Sequence, residues 1–477
     1  MITFLCALLI LLLGYYMYGK LAERVFCPDD RPTPAMNHPD GVDYVPMKTW
    51  RVFLVQLLNI AGTGPIFGAL MGAVFGPVVY LWIVFGSILG GAVHDYMSGM
   101  ISVRMNGASV SEIVGKYLGK AAKLIMRIFS VILLILVGTV FTTSPAALLA
   151  RLTPSWANSL FWVAVILAYY FLATLLPIDK LIGKLYPIFG GVLIVMAVGI
   201  MAGLMIGGYY IPELRIANLH PDGKPVFPYM FITVACGAIS GFHATQSPMM
   251  ARCIKSERHG RKVFYGAMIA ESVIALVWAA AGVAFYGATG GLQEALADLG
   301  QSGVVYDISV SLLGVVGGAL AIIGVVVCPV SSGDTAFRSA RLTIADWFRF
   351  DQSKLPKRIA ITIPLLAVGA VLTQLDFDVV WRYFSWSNQT LAMITLWAAA
   401  AYLVQSAENR WYSLICALPA AFMSAVSCTY ILMADEGFKI SAKIAYPIGI
   451  CFAAACGILY ALKCSKTPYA NRRKNGA

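Results

Sequence analysis

Five ionisable side chains sit in strongly apolar surroundings. Glu271 lies in the middle of the run 262–288, within AMIAESVIAL. His94 and Asp95 are adjacent in GGAVHDYMSG, toward the end of the run 78–101. His243 follows a Gly-rich stretch in ISGFHATQS, and Asp334 follows two serines in PVSSGDTAFRSAR. At the centre of a membrane-crossing helix an ionisable group costs about 2.5–3.5 kcal/mol on insertion scales, so a functional role is the default reading. A carboxyl that takes and releases a proton suits ion coupling, with a buried structural hydrogen bond as the alternative for Glu271. His94-Asp95 reads as a gate or proton relay, or as a partner for inner-side Arg or interfacial backbone. Ser331, Ser332 and Thr335 around Asp334 offer hard oxygen ligands for Na⁺, or Asp334 carries a proton; the alternative is an ion pair with Arg338 one turn on. No H-E-x-x-H, G-x-S-x-G or P-loop pattern occurs, so the chain is expected not to be an enzyme.

Two stretches interrupt the helices that would carry such groups. NIAGTGPIFGAL, Asn59–Leu70, puts Gly62, Thr63, Gly64 and Pro65 at half depth of the run 51–75. TVACGAISGFHATQS, Thr233–Ser247, does the same within 228–250. Pro lacks an N–H and Gly weakens a helix, and in hydrocarbon each orphaned backbone group costs several kcal/mol. Such breaks are tolerated where they line a cavity. A half-helix N-terminus suits a carboxylate, and freed carbonyls suit a cation or ammonium. The expected substrate contacts are Asn59, Gly62, Thr63 and Gly64 from the first break, and Ser240, Gly241, Phe242, His243 and Thr245 from the second. The expected ion-coupling groups are Glu271, Asp95, Asp334, Ser331, Ser332 and Thr335. Two glycine-rich stretches, Gly86–Gly91 and Gly314–Gly324, read as packing faces. Trp386, Asn388 and Gln389 read as polar contacts between helices.

The elements that must position these residues are apolar spans. The chain is 59% hydrophobic and only 12% charged, with mean hydropathy +0.77; a soluble domain has about 25% charged residues. Thirteen runs are long enough to span a bilayer: 2–18, 51–75, 78–101, 124–150, 159–177, 184–208, 228–250, 262–288, 305–330, 358–375, 381–404, 411–433 and 443–462. The two broken spans lie five apart and therefore run in opposite directions. The expected fold is all-α and polytopic, with a 5+5 inverted repeat of the leucine-transporter kind. Its units are an extra N-terminal helix (1–20), a cytoplasmic segment (21–50), the repeats 51–208 and 228–404, two C-terminal helices (411–462) and a basic tail (463–477). Loops 209–227 and 289–304 are expected outside.

The net charge of +12 is topological rather than a nucleic-acid footprint. With the N-terminus outside, only Arg151, Arg215, Lys224, Arg382, Lys439 and Lys443 of the 35 Lys and Arg fall on the outer side. That asymmetry follows the positive-inside rule. A bacterial inner membrane is the expected location, with the C-terminus cytoplasmic. The first run has no basic residue ahead of it and no small-residue cleavage site after it, so it reads as a retained span. Ten scattered cysteines, among them Cys6, Cys236, Cys328, Cys416, Cys428, Cys451 and Cys456, show no metal spacing and read as small buried apolar residues.

The motifs HPDGVDYVP (38–46), NIAGTGP, GGAVHDYM, FITVACGAISGFHA (Phe231–Ala244), AESV and SSGDTAFRSARL occur in the order seen in the carbon starvation protein family, CstA. The resemblance covers about residues 1–405 and falls in six separate motifs. It implies the five-plus-five fold of the amino acid–polyamine–organocation superfamily. It also implies import of peptides or pyruvate driven by an ion gradient, with protons favoured. By superfamily analogy, Ser331, Ser332 and Thr335 occupy the place of a sodium site. The chain departs from the long members in two places beside the expected site. A His pair before the first break corresponds to Val55-Gln56, and ATQSPMM follows His243 where those members carry a Ser-Ser-Gly-Thr-Thr-like stretch. The expectation is an ion-coupled importer of a small carboxylate or peptide, embedded in lipid and needing no cofactor beyond H⁺ or Na⁺. A membrane-embedded nutrient sensor and a passive channel or facilitator are the competing classes. Oligomeric state is not legible.

Overall fold

The computed structural model describes residues 1–40, 44–175, 178–350 and 355–466, and these are helical with no strand among them. The expected basic tail beyond Lys466, the Gly41–Asp43 part of the HPDGVDYVP motif and the end of the run 159–177 lie outside the described residues. Among the described residues, nine helices are long and apolar enough to cross a membrane, or ten if the bent pair Thr49–Ala61 and Gly64–Ala73 is one span. Three other expected spans fall on different kinds of element. Ser159–Leu175 is a 17-residue helix. The run 228–250 is two short helices, Val226–Thr233 and Gly241–Ala251. The run 381–404 lies in the 30-residue helix Phe377–Ser406, which is largely buried among its neighbours.

One expected boundary is wrong. The segment 289–304 is not a loop, and 305–330 is not a single span. Helical backbone runs from Thr289 to Phe348, interrupted at Gly300 (φ 65°) and Gly314 (φ 59°). At Gly314 the chain doubles back: a Cβ on Gly317 would strike the Ser309 carbonyl oxygen. The stretch Gly314–Gly324 therefore begins with a reversal, which a residue with a Cβ adopts only under strain. A consequence is that Ser331–Thr335 is not at a helix end. It sits in the first two turns of Cys328–Phe348, with the helix continuing well past it.

The two interrupted helices cross. At the first, Gly62 adopts φ 42°, ψ −137°, a conformation reserved for glycine. Pro65 then enters the next helix at its first turn, where no N–H is needed. The two halves meet at 47°. At the second, Gly237 has φ 94° and Ser240 is extended. A Cβ on Gly64 would lie 2.5 Å from Cys236 Sγ, and one on Gly237 would lie 3.6 Å from Pro65 Cα. Glycine at these places lets the two breaks touch.

The second break is held by side chains that answer its freed carbonyls. Trp82 Nε1 donates to Val234 O (3.0 Å), Ser87 Oγ to Gly237 O (3.0 Å) and Gln389 Nε2 to Phe231 O (2.9 Å). Trp82 and Ser87 belong to π-helical turns spanning Trp82–Gly91, and Gly91 lies against the Ala238 carbonyl. Gly86–Gly91 is thus a packing face whose partner is the break itself.

The bundle has two polar ends. At one, Glu213 accepts from Ile2 N, Thr3 N and Thr3 Oγ1 and so caps the first helix. The terminal ammonium first, and these contacts with it, hold its carboxyl down at about 2. At the other, Arg104 donates to Glu257 (2.9 Å), to Cys27 O (2.7 Å) and to Tyr402 Oη (2.9 Å).

Candidate functional site

Three helices bring three ionisable groups to one point. Asp95 comes from Ala92–Arg104, just past the π-helical turns. His243 is the third residue of Gly241–Ala251, immediately after the second break. Glu271 comes from Gly266–Tyr286. All three are fully buried. Asp95 Oδ2 lies 2.8 Å from His243 Nδ1, and Asp95 Oδ1 lies 2.8 Å from His94 Nδ1. Asp95 therefore pairs with two imidazoles rather than with an inner-side Arg. A carboxylate only accepts, so this geometry assigns an Nδ1–H to both rings. His243 Nε2 then points toward Glu271 Oε2, 3.4 Å away. Neither His243 Nε2 nor either Glu271 oxygen is in hydrogen-bond geometry with a protein donor or acceptor. Two bare acceptors facing each other in a buried place call for a proton or another cation between them.

The sequence reading missed two members of this site. Cys236 reads as a small apolar residue, yet its Sγ, a His243 ring nitrogen and a Glu271 oxygen all lie within 4.8 Å of one another. Asn388 reads as a contact between helices. It is one, and it also caps the half-helix that starts at the break, because its Oδ1 accepts from Phe242 N (2.7 Å) and Ser240 Oγ (3.1 Å). The only sequence signal for either was their position, Cys236 inside the break and Asn388 deep in an apolar span.

The first break supplies a different kind of surface. Gln56 and Asn59 are one turn apart on Thr49–Ala61, and Thr63 lies beyond the break. All three are fully buried, and no side-chain N or O of theirs has a protein partner. An unsatisfied buried polar group costs about 1–3 kcal/mol, so three together mark a place for a ligand or water. Gln56 was legible as a departure from the family pattern but not as a site residue.

The remaining candidates are placed as follows. Gly62 faces Phe141, which stands edge-on to Phe242 with ring centroids 6.3 Å apart. Gly241 packs against Asn388 and Leu391. Thr245 spends its hydroxyl on Phe242 O (2.6 Å) and accepts from Gln246 Nε2 (3.0 Å). Asp334 does not join His243; its ion pair is with Arg338 at 3.6 Å. Ser331 and Thr335 donate within their own helix, to Cys328 O and Ser332 O, while Ser332 Oγ reaches Leu58 O of the first broken helix at 3.1 Å.

A cavity of about 520 Å³ opens from the Glu213 end toward the second break. Ile232, Thr233 and Trp381 are part of its lining, and Lys224, Asp378, Arg382 and Glu436 are among its polar wall. Arg382 pairs with Glu436 at 3.2 Å, and Gln301 donates to Asp378 at 3.2 Å. Burial and nearby Lys224 hold the His220 imidazole, also in this wall, below its ordinary range.

The chain is thus a multi-pass helical bundle in which two interrupted helices meet at buried ionisable groups. Solved structures agree at the level of fold. The manganese transporter of Eremococcus coleocola matches with TM-score 0.53 and 14% identity, over 90% of this chain and 99% of that one. The inward-facing conformation of Mhp1 matches with TM-score 0.54 and 15% identity, over 87% and 90%. The family model described as carbon starvation protein CstA matches residues 1–161 and 156–295, and the chain belongs to that family. An uncharacterized membrane protein of Haemophilus influenzae is 42% identical over 62% of this chain and 94% of its own length. The peptide transporter CstA of Bacillus subtilis is 26% identical over 88% of each chain. The pyruvate/proton symporter BtsT of Escherichia coli is 28% identical over 56% of this chain and 46% of its own length.

Proposed function

We propose that this chain is a secondary active importer of a small carboxylate or peptide, coupled to protons. The observation that carries the reading is the line Asp95–His243–Glu271 at the second break. Its geometry leaves one gap that needs a positive charge. A proton there ties the half-helix Gly241–Ala251 to Ala92–Arg104 and Gly266–Tyr286, and its loss frees the half-helix to move. Gln56, Asn59 and Thr63 form the neighbouring polar surface, which meets the substrate. The names of the relatives, peptide transporter and pyruvate/proton symporter, support the substrate classes. The same names count against an enzyme.

In this reading 51–208 and 228–404 are the two inverted repeats, and thirteen spans cross the membrane, the helical run that follows Gly314 taking the place of 305–330. The end held by Arg104 and Glu257 is cytoplasmic, and the Glu213 end is outside. Na⁺ at Ser331, Ser332 and Thr335 is the alternative coupling ion. It is supported by Ser332 meeting Leu58 O in the last turn of the first half-helix, where carbonyls lack helical partners.

The test is uptake into proteoliposomes of labelled pyruvate and of a labelled dipeptide, under a pH gradient and then a Na⁺ gradient. Accumulation of one substrate under the pH gradient is expected. Accumulation under Na⁺ alone overturns the coupling assignment. Equilibration without accumulation, and without stimulation by unlabelled substrate on the far side, means a channel. Tight binding without movement of label means a sensor.

A further inference from the structure

We infer that Cys236, His243 and Glu271 form a buried binding site for a borderline divalent transition-metal cation of the Zn²⁺ type. The three donor atoms lie within 4.8 Å of one another, a spacing that closes onto a single ion with small side-chain movement. A thiolate, an imidazole nitrogen and a carboxylate oxygen are the ligand types zinc takes, and three protein ligands leave a fourth position open. The sulfur selects against Mg²⁺, Ca²⁺ and Na⁺, which prefer all-oxygen surroundings.

Two further observations point to a ligand. First, the His243 Nε2 and both Glu271 oxygens are fully buried and lack hydrogen-bond partners, so two of the three donor groups are left unsatisfied, while Cys236 Sγ accepts from Asn388 Nδ2 at 3.6 Å. Second, the outer support is already built. His243 gives its Nδ1 side to Asp95 at 2.8 Å, the carboxylate–histidine arrangement that fixes the tautomer and turns the other nitrogen toward a metal. Asp95 is steadied in turn by His94. Gly64 makes room, because a side chain there would occupy the place of the Cys236 sulfur.

The site does not depend on the transport reading. The proton and the metal are alternative occupants of the same gap, and binding is read without substrate or gradient. The full chain, purified and stripped with a chelator, is titrated with Co²⁺ as the probe and then with Zn²⁺. One equivalent of Co²⁺ is expected to give a thiolate charge-transfer band and the visible bands of a four-coordinate ion, and Zn²⁺ to displace it. Cys236→Ser loses the charge-transfer band, while Cys6→Ser, on the exposed side of the first helix, keeps it. Asp95→Asn, which touches no metal, keeps the band but weakens affinity about 10–100-fold. X-ray absorption on the Zn²⁺-loaded wild type needs no variant and should give one sulfur at about 2.3 Å beside lighter ligands. No Co²⁺ band in folded wild type, a band that survives Cys236→Ser, or a zinc shell without sulfur each overturns the assignment. If Co²⁺ binds as described but uptake ignores the pH gradient, the transport reading fails alone. If uptake follows the pH gradient and Co²⁺ does not bind, the metal site fails alone.

Discussion

At the scale of single residues, the site turns on one imidazole held from both sides. Asp95 orients His243, and His243 offers its free nitrogen to Glu271. Glu271→Gln keeps the shape but removes the group that exchanges a proton across the 3.4 Å gap. Uphill uptake is expected to fall to simple equilibration, with exchange of labelled for unlabelled substrate retained. Accumulation that still follows the pH gradient in this variant takes Glu271 out of the coupling. Asp95, His243 and Glu271 were each legible in the sequence, because ionisable groups in apolar runs stand out. Their meeting was not, since Asp95 and His243 are 148 positions apart and nothing in either local pattern names the other. Cys236 was invisible for the opposite reason: a cysteine in an apolar span is ordinary, and only its distance to His243 and Glu271 makes it a donor. For Asp334 two readings were legible, a cation site with its neighbouring hydroxyls and an ion pair with Arg338 one turn on, and the ion pair is present at 3.6 Å.

At the scale of elements, glycine decides where the helices stop. The Gly-Thr-Gly-Pro break was legible, because Pro65 and two glycines weaken a helix whatever surrounds them. The bend of 47° and the close approach to Cys236 follow from it. The Thr289–Phe348 run was misread, because hydropathy averaged over 305–330 stays high across a reversal at Gly314 and periodicity does not see a turn. Gly62 allows a sharp test. A Cβ there faces a backbone conformation closed to other residues and the Phe141 ring, whose Cζ would be 2.6 Å away. Gly62→Ala is expected to destabilise the protein by about 1–3 kcal/mol from backbone strain, with a further loss from the clash. In a Phe141→Ala background the clash is gone and the strain remains, so thermal melts should show partial recovery only. Full recovery would mean that position 62 accepts a side chain, and that the break is a kink set by Pro65 alone.

At the scale of the whole molecule, the proposed direction of transport rests on the positive-inside rule and is open to a direct test. Arg104 and Glu257 are both largely or fully buried and tie the first helix, the 104–109 region and the 252–259 region into one layer. If the positive-inside rule governs this chain, Cys27, exposed beside Arg104, faces the cytoplasm. A variant retaining Cys27 as its only cysteine should react with a membrane-impermeant thiol reagent in inside-out vesicles and stay unlabelled in right-side-out ones. The reverse pattern would put the Glu213 end and its 520 Å³ cavity on the cytoplasmic side. The cavity would then open on the product side of import, and the line Asp95–His243–Glu271 would have to release its cation toward the opposite face. The same labelling reports movement. The half-helix Gly241–Ala251 lies between the two ends and holds His243, so a substrate that shifts it should change the reaction rate of a cysteine placed at Thr245, near the middle of that half-helix. A rate at position 245 indifferent to substrate and to the pH gradient would leave the bundle rigid, and alternating access at the second break would be excluded.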